Sequence, residues 1–380
     1  MKQTARIIST YSADVFGVCS ALFELGGMTV MHDASGCNST YTTHDEPRWY
    51  DMDSMVYISG LTEMEAIMGD DEKLIGDIVD AARELHPNFV AVAGTPIPAM
   101  TGFDFDSIAW MIEQETGIPS LGFKTTGMNT YVHGAQMALE AYARRFVDRN
   151  VEKTKELSVN ILGVTPLDFS VNGADASIQE FLEKAGYEVT SKWAMGSTPE
   201  ALANAGCAKV NLVVSAVGLG VAKAFREMFG TPYVVGLPMG EKSGKLVEAA
   251  LSLAIETGEN QVVHYEIPGE EIVIIGEGVT SLSLAQAIEL ETGRGTKVLC
   301  TTECEEDLLR DKDKMTRDEE EVEEALVGAK VIIADPLFRP ICPQDVRFVA
   351  LPSESFSGRI YRSEIPNLIS DLERFIKEEL

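Results

Sequence analysis

Cysteine is scarce in this chain, six in 380 residues. That is too few for a disulfide framework, and in a reducing compartment such residues are thiols, metal ligands or catalysts to be judged one at a time. Basic residues are also in deficit. Thirty-one Lys and Arg against 60 Asp and Glu leave a formal charge of -29, which repels a phosphate backbone and argues against a nucleic-acid partner. No apolar run approaches the ~20 residues that cross a bilayer, so no membrane partner is expected. The opening MKQTARIISTYSADVFG lacks the apolar core and small-residue cleavage site of a secretory leader, from which a cytoplasmic location is expected.

What is present is a chain longer than the roughly 250 to 300 residues at which a single core stops growing. Short β-branched runs alternate with amphipathic helical stretches three times over, which predicts an α/β protein with parallel sheets flanked by helices. GMTVMHD, VYISG, NFVAVAG and PSLGFKT read as strands of a first unit. A second opens at SVNILGVTP and a third at EEIVIIGEG, the last ending in the helix EIPNLISDLERFIKEEL. The charged RNVEKTKEL and the segment GENQVVHYEIPGEE are the expected seams, giving domains over 1–157, 158–268 and 269–380. The acidic stretch ECEEDLLRDKDKMTRDEEEVEEAL reads as a solvated helix face with its preceding loop.

Several motifs fail on inspection. VIIGEGVTSLSLAQAI has the glycine turn between strand and helix but lacks the third glycine of a dinucleotide site. MGEKSGKL is no phosphate-binding loop, because Met239 stands where its first glycine belongs and Leu246 where a hydroxyl would reach magnesium. ATP binding by this chain is therefore not expected. Cys300 and Cys304 have a CxxxC spacing without a second pair nearby, and read as structural thiols; Cys207, Cys342, His86, His133 and His264 are isolated.

Cys19 and Cys37 are different. Cys19, in FGVCSALFEL, is read close to a helix start, where backbone N–H groups favour a thiolate. Cys37 follows a strand end in HDASGC, where ligands gather in open α/β sheets. Ala34, Ser35 and Gly36 let the backbone approach a bulky group, and a thiolate is a natural iron ligand. By spacing alone, a pair of ordinary buried thiols is an equally open reading. His44, Asp45, Glu46 and Arg48 follow the loop closely enough to be candidates for proton delivery or for binding an anionic substrate, although HDEPRWYD also reads as a surface turn.

Cys19 followed by HDASGC resembles the nitrogenase component 1 family, in which a helix cysteine precedes a strand and a His-Gly-Pro-x-Gly-Cys turn. That family includes nitrogenase molybdenum-iron protein subunits, assembly scaffolds and dark-operative protochlorophyllide reductase catalytic subunits. MGDDEKLIGDIVDAARELHPNFVAVAGTPIPAMTG, LGFKTTGMNTYVHGAQMALEAYARRFV, FLEKAGYEV and REMFGTPYVVG extend the similarity over most of the chain. The resemblance implies three Rossmann-like domains and a dimer, homomeric or with a paralogous subunit, holding an iron-sulfur cluster at its interface. It also implies an ATP-hydrolysing iron-protein-like reductase as partner. The family's third cluster cysteine should fall near Gly94, Thr95 and Pro96, where there is none. Cys19 and Cys37 then supply two thiolates, and a 4Fe-4S cluster shared between two subunits is the implied solution. Asp14 or Asp33 is the alternative non-cysteine ligand. Neither the cofactor cysteine nor the histidine of true nitrogenases can be placed in the third domain, which argues against dinitrogen as substrate.

Overall fold

The computed structural model describes residues 6, 7, 9, 13–34, 46–53, 55–69 and 71–380. The first unit runs α1 (Asp14–Leu22), β1 (Met28–His32), β2 (Met55–Ile58), α2 (Glu63–Met68), α3 (Asp71–Leu85), β3 (Val90–Gly94), α4 (Pro96–Thr101), α5 (Phe105–Thr116), β4 (Ser120–Phe123) and α6 (Tyr131–Phe146). The second comprises β5 (Ser158–Leu162), α7 (Pro166–Phe169), α8 (Ala174–Lys184), β6 (Glu188–Trp193), α9 (Pro199–Ala203), β7 (Val210–Val213), α10 (Leu219–Phe229), β8 (Tyr233–Val235), α11 (Gly240–Thr257) and β9 (Gln261–Val262). The third comprises β10 (Ile272–Gly276), α12 (Gly278–Thr292), β11 (Thr296–Cys300), β12 (Lys314–Met315), α13 (Glu319–Ala325), β13 (Val331–Ala334), β14 (Arg347–Ala350) and α14 (Leu368–Glu379).

Three parallel sheets result, ordered β2-β1-β3-β4, β6-β5-β7-β8-β9 and β12-β11-β10-β13-β14. The central strands MTVMH, SVNIL and VAVAG are buried at every position, as strands covered on both faces must be. In α3, Leu74, Ile75, Ile78, Val79 and Ala82 form the single buried stripe of a surface helix. By contrast α12 is buried almost all round from Gly278 to Glu289, as befits a helix enclosed on several sides.

Each sheet reverses its winding once: between β1 and β3, between β5 and β7, and between β10 and β13. Beyond the carboxyl ends of those strands lie the crevices where open α/β sheets take ligands. Two glycines bring α1 and α6 of the first unit together. A Cβ on Gly17 of α1 would lie 2.0 Å from the Tyr131 carbonyl oxygen, and one on Gly134 of α6 would lie 1.8 Å from that of Asp14. Only glycine permits this near-backbone contact of α1 with α6.

The acidic stretch is not wholly solvated. It contains β12, and its Arg310 and Asp313 side chains are fully buried, with Arg310 paired to Asp313 at 2.7 Å and to Glu289 at 3.2 Å. The last helix, counted with the third unit in the sequence, packs against α8 and α11 of the second. There Asn367 Nδ2 donates to Ser177 Oγ at 2.9 Å.

Candidate functional site

Cys19 is the sixth residue of α1 rather than a helix-start residue, and it is fully buried in the core. Its distance from the helix N-terminus removes the dipole argument for a thiolate. Burial, then the charge of Glu46, pushes the thiol well above its ordinary range. Gly36, Cys37 and His44 lie outside the described residues, but the residues on either side, up to Ala34 and from Glu46, are described. At its start, Asp33 Oδ1 and the His32 carbonyl each accept from Thr95 Oγ1 at 3.0 Å, closing the β1/β3 crevice where the family's further cysteine would fall. His32 is itself buried, which lowers its imidazole to about 4; its Nδ1 meets Ser59 Oγ at 2.9 Å.

At its end, the loop is tied to α1. Arg48 Nε donates to Glu46 Oε1 at 2.6 Å, Nη1 to Glu24 Oε1 at 2.9 Å and to the Ala194 carbonyl at 3.2 Å, and Nη2 to the Ser20 carbonyl at 2.7 Å. The guanidinium also sits 4.6 Å from the centroid of the Phe23 ring. Glu46 and Arg48, which the sequence offers as proton-delivery or substrate residues, are thus buried and bound to each other and to neighbouring elements. This geometry describes an anchor between the first and second units. Asp14 is equally engaged: its carboxylate accepts from the N–H groups of Val15, Thr126 and Gly127 and from Asn129 Nδ2. Those four donors make it a poor candidate for a metal ligand.

A second site, marked in the sequence only by the glycine turn VIIGEGVTSLSL, lies between the crevices of the second and third units. A cavity of about 100 Å³ is walled by apolar Phe169, Met239, Ile275, Leu284 and Phe356, and by the carboxyl groups of Asp168, Glu277 and Asp335. Asp168 follows β5 by one short turn, while Glu277 and Asp335 come directly after β10 and β13. Carboxylates at strand ends were therefore the signal available. Glu277 caps α12 by accepting from Val279 and Thr280 N–H, and it reaches the second unit by accepting from Ala216 N–H at 2.9 Å. The glycine turn's helix N-terminus is thus filled by the protein's own carboxylate. Asp335 accepts from Leu337 N–H, Ser353 N–H and Ser357 Oγ.

Asp168 is less well served. Tyr131 of α6 donates to its Oδ1, whereas buried Oδ2, beside the Ser215 hydroxyl, has no well-formed hydrogen bond among the described residues. Burial and then the charge of Glu277 hold this carboxyl well above the usual carboxylate range. Tyr131, Asp168 and Glu277 bring one acid group from each unit to a single point. Among the described residues, no cysteine or histidine lines the cavity.

Three parallel-sheet units flanked by helices define a nitrogenase component 1-like architecture. The chain belongs to the nitrogenase component 1 type oxidoreductase family, whose pattern matches residues 15–335. It is 28% identical over 180 residues to the nitrogenase iron-molybdenum cofactor biosynthesis protein NifE of Clostridium pasteurianum, covering 47% of this chain and 38% of that protein. It is 25% identical over 182 residues to the nitrogenase molybdenum-iron protein alpha chain of the same organism, covering 47% and 33%. To a light-independent protochlorophyllide reductase subunit of Nostoc punctiforme (strain ATCC 29133 / PCC 73102) it is 25% identical over 181 residues, covering 45% and 36%. The matched segments thus span well under half the length of these relatives. The solved structure "Nitrogenase Cp1 at pH 6.5" superposes with a TM-score of 0.71 at 16% identity, covering 100% of this chain and 93% of that one, a likeness of fold. Among the described residues no helix is long and apolar enough to cross a membrane.

Proposed function

We propose that this chain is the reductase component of a nitrogenase-like system. In this reading Cys19 and Cys37 hold an iron-sulfur cluster at a subunit interface, and an ATP-hydrolysing iron-protein-like partner supplies electrons for a substrate other than dinitrogen. The observation that carries it is the anchoring of the Cys37 loop. The chain leaves the first crevice at Asp33 and returns at Glu46, within electrostatic reach of Cys19, with Arg48 bound to the carbonyl of adjacent Ser20. Cys19 suits a metal better than a solitary thiolate, because a cation answers both its burial and the Glu46 charge. Two thiolates per chain are half the usual 4Fe-4S complement, so a second copy or a paralogue completes the set. Exposed Met64, Ile67, Met68, Met100 and Met128, on α2, α4 and the segment after β4, give the carboxyl edge of the first sheet an apolar surface for that subunit.

Such a cluster, when bound, supplies single-electron transfer. This chain's residues do the rest. Arg48 and Glu46 hold the loop, and His44 on that loop is assigned to proton delivery beside the cluster. The substrate is placed in the cavity between the second and third units, where the raised Asp168 carboxyl is the acid group and Tyr131 supports its Oδ1 from behind. A lining without thiol or imidazole suits an organic molecule rather than a metal cluster.

The similarity to a cofactor biosynthesis protein favours one other reading, a scaffold on which a cluster or tetrapyrrole-like cofactor is built. A scaffold surrenders its cluster to an acceptor protein, whereas a reductase retains it and oxidises it on addition of substrate.

The deciding experiment is iron and acid-labile sulfide per chain in protein purified without oxygen, beside Cys19→Ser and Cys37→Ser. About two irons per chain, lost in both variants, is the expected result. Protein that stays iron-free after anaerobic reconstitution, whatever the variant, sinks the electron-transfer reading.

A further inference from the structure

By their spacing Cys300 and Cys304 are unconnected structural thiols, and their placement says otherwise. Cys300 ends β11, and Cys304 lies in the loop that follows. Both sulfurs converge on Gly278, the first residue of α12: a Cβ added there would lie 2.5 Å from Cys304 Sγ and 3.4 Å from Cys300 Sγ. Any side chain at Gly278 would have to displace this pair, so the bare glycine is what lets the two thiols share one pocket. They are free thiols, Cys300 fully buried with its Sγ donating to the Thr302 carbonyl at 3.4 Å, Cys304 half-buried with its Sγ donating to the Glu305 carbonyl at 3.6 Å.

The loop that carries Cys304 touches both other units. The Glu303 carboxylate accepts from the N–H of Thr130 at 2.8 Å and from its hydroxyl, holding the start of α6 in the first unit. Glu305 pairs with Lys223 of α10 in the second at 2.5 Å. On the inner side, Gly278 adjoins Glu277, which walls the cavity and bonds Ala216. A covalent link between the two sulfurs would therefore fix a loop that couples the units.

We propose that Cys300 and Cys304 form a reversible two-electron dithiol/disulfide site, oxidised by low-molecular-weight disulfides. The more accessible Cys304 reacts first. Its sulfur attacks the small disulfide, forming a mixed disulfide and releasing one small thiol with the Cys304 proton. Cys300 sulfur then attacks Cys304 Sγ, the Cys300–Cys304 bond forms, and the second small thiol leaves with the remaining proton. Two protein thiols are oxidised and one small disulfide is reduced to two thiols. The neighbouring Cys300 sulfur, then burial, pushes the Cys304 thiol up; the first step is consequently slow and accelerates with pH.

The test uses the full chain, reduced and desalted, exposed to excess oxidised glutathione, then alkylated and digested for mass measurement. The peptide carrying both residues is expected to lose two hydrogens and all alkylation, and to regain both after dithiothreitol. In Cys300→Ser the reaction should stop at a glutathione adduct on Cys304, and in Cys304→Ser neither product should form. Wild-type protein that stops at the adduct, or whose two thiols both remain alkylated, overturns the proposal. Because the wild-type peptide alone decides, poor folding of a variant does not blunt the test.

Discussion

The Glu277 carboxylate accepts from the Ala216 N–H at 2.9 Å, and this bond joins the third unit to the second across the wall of the cavity. The same side chain caps α12 through Val279 and Thr280. One residue thus starts a helix, bridges two units and, after burial, adds to what raises the Asp168 carboxyl.

Glu277→Ala removes the cap and the bridge together. The expected loss is about 2 to 4 kcal/mol, from a cap of about 1 kcal/mol and a charge-assisted hydrogen bond of about 1.5 to 3 kcal/mol. Glu277→Gln keeps an acceptor and should recover part of it. Denaturant midpoints of the two variants against the parent measure the difference; a shift within error for the alanine variant would refute the bridging role.

Arg48→Met leaves Glu46 and Glu24 without their cation in a region where the Arg48 and Glu46 side chains are 5% and 0% exposed. Breaking a buried ion pair in this way costs about 3 to 5 kcal/mol. The expected readout is a lower denaturation midpoint in the metal-free chain. An unaltered midpoint would return Arg48 to the role of a substrate-binding residue.

Asp168→Asn tests the buried acid. A carboxyl raised by burial holds its proton in the folded state after the unfolded chain, with an ordinary value of about 3.9, has lost it. Stability is therefore present in full at low pH and declines as pH rises above the ordinary carboxylate range. The amide variant should show a flatter profile over that range, seen in denaturation at a series of pH values. Parallel profiles would mean that Asp168 ionises normally.

Lys153 gives the opposite sign. It donates to the Ala208 carbonyl at 2.7 Å and to Thr231 Oγ1, and burial lowers it from 10.5 to about 8. Below pH 8 both states carry the proton and the folded chain bears the whole burial cost; between about 8 and 10.5 only the unfolded chain is charged. Stability contributed by this residue should rise with pH across that window. Lys153→Met should remove the rise, and equal slopes for parent and variant would disprove it.

The strands were legible because parallel strands covered on both faces announce themselves as short apolar runs, as in NFVAVAG and EEIVIIGEG. Arg310 was not, because an arginine in DLLRDKDKM is indistinguishable in sequence from a solvated one until Glu289, contributed by α12, closes over it. The same holds for α14, whose partners are helices of another unit. Of the candidate site, Cys19 could be singled out as a cysteine, but its burial in the middle of α1 depends on the packing of α6 against Gly17. Glu46 and Arg48 attracted notice for their charge, and what they bind is set by Ser20, Glu24 and Ala194, up to 146 positions away. Asp168, Glu277 and Asp335 could have been found by searching for carboxyl groups just past strand ends; no single one of them is unusual, and only the facing of two crevices makes them a set.

Helix α14 contributes to the cavity wall from outside the strand ends. Ile365, Leu368 and Ile369, at and just before its start, form part of the cavity wall, while the rest of α14 rests on the second unit through Leu372 and Phe375. The Leu372 side chain can seat there only because Gly240 leaves room for its Cδ2 methyl. That side of the cavity is thus built from the segment that enters α14, and the seating of one amphipathic helix on the second unit holds a wall of the cavity in place.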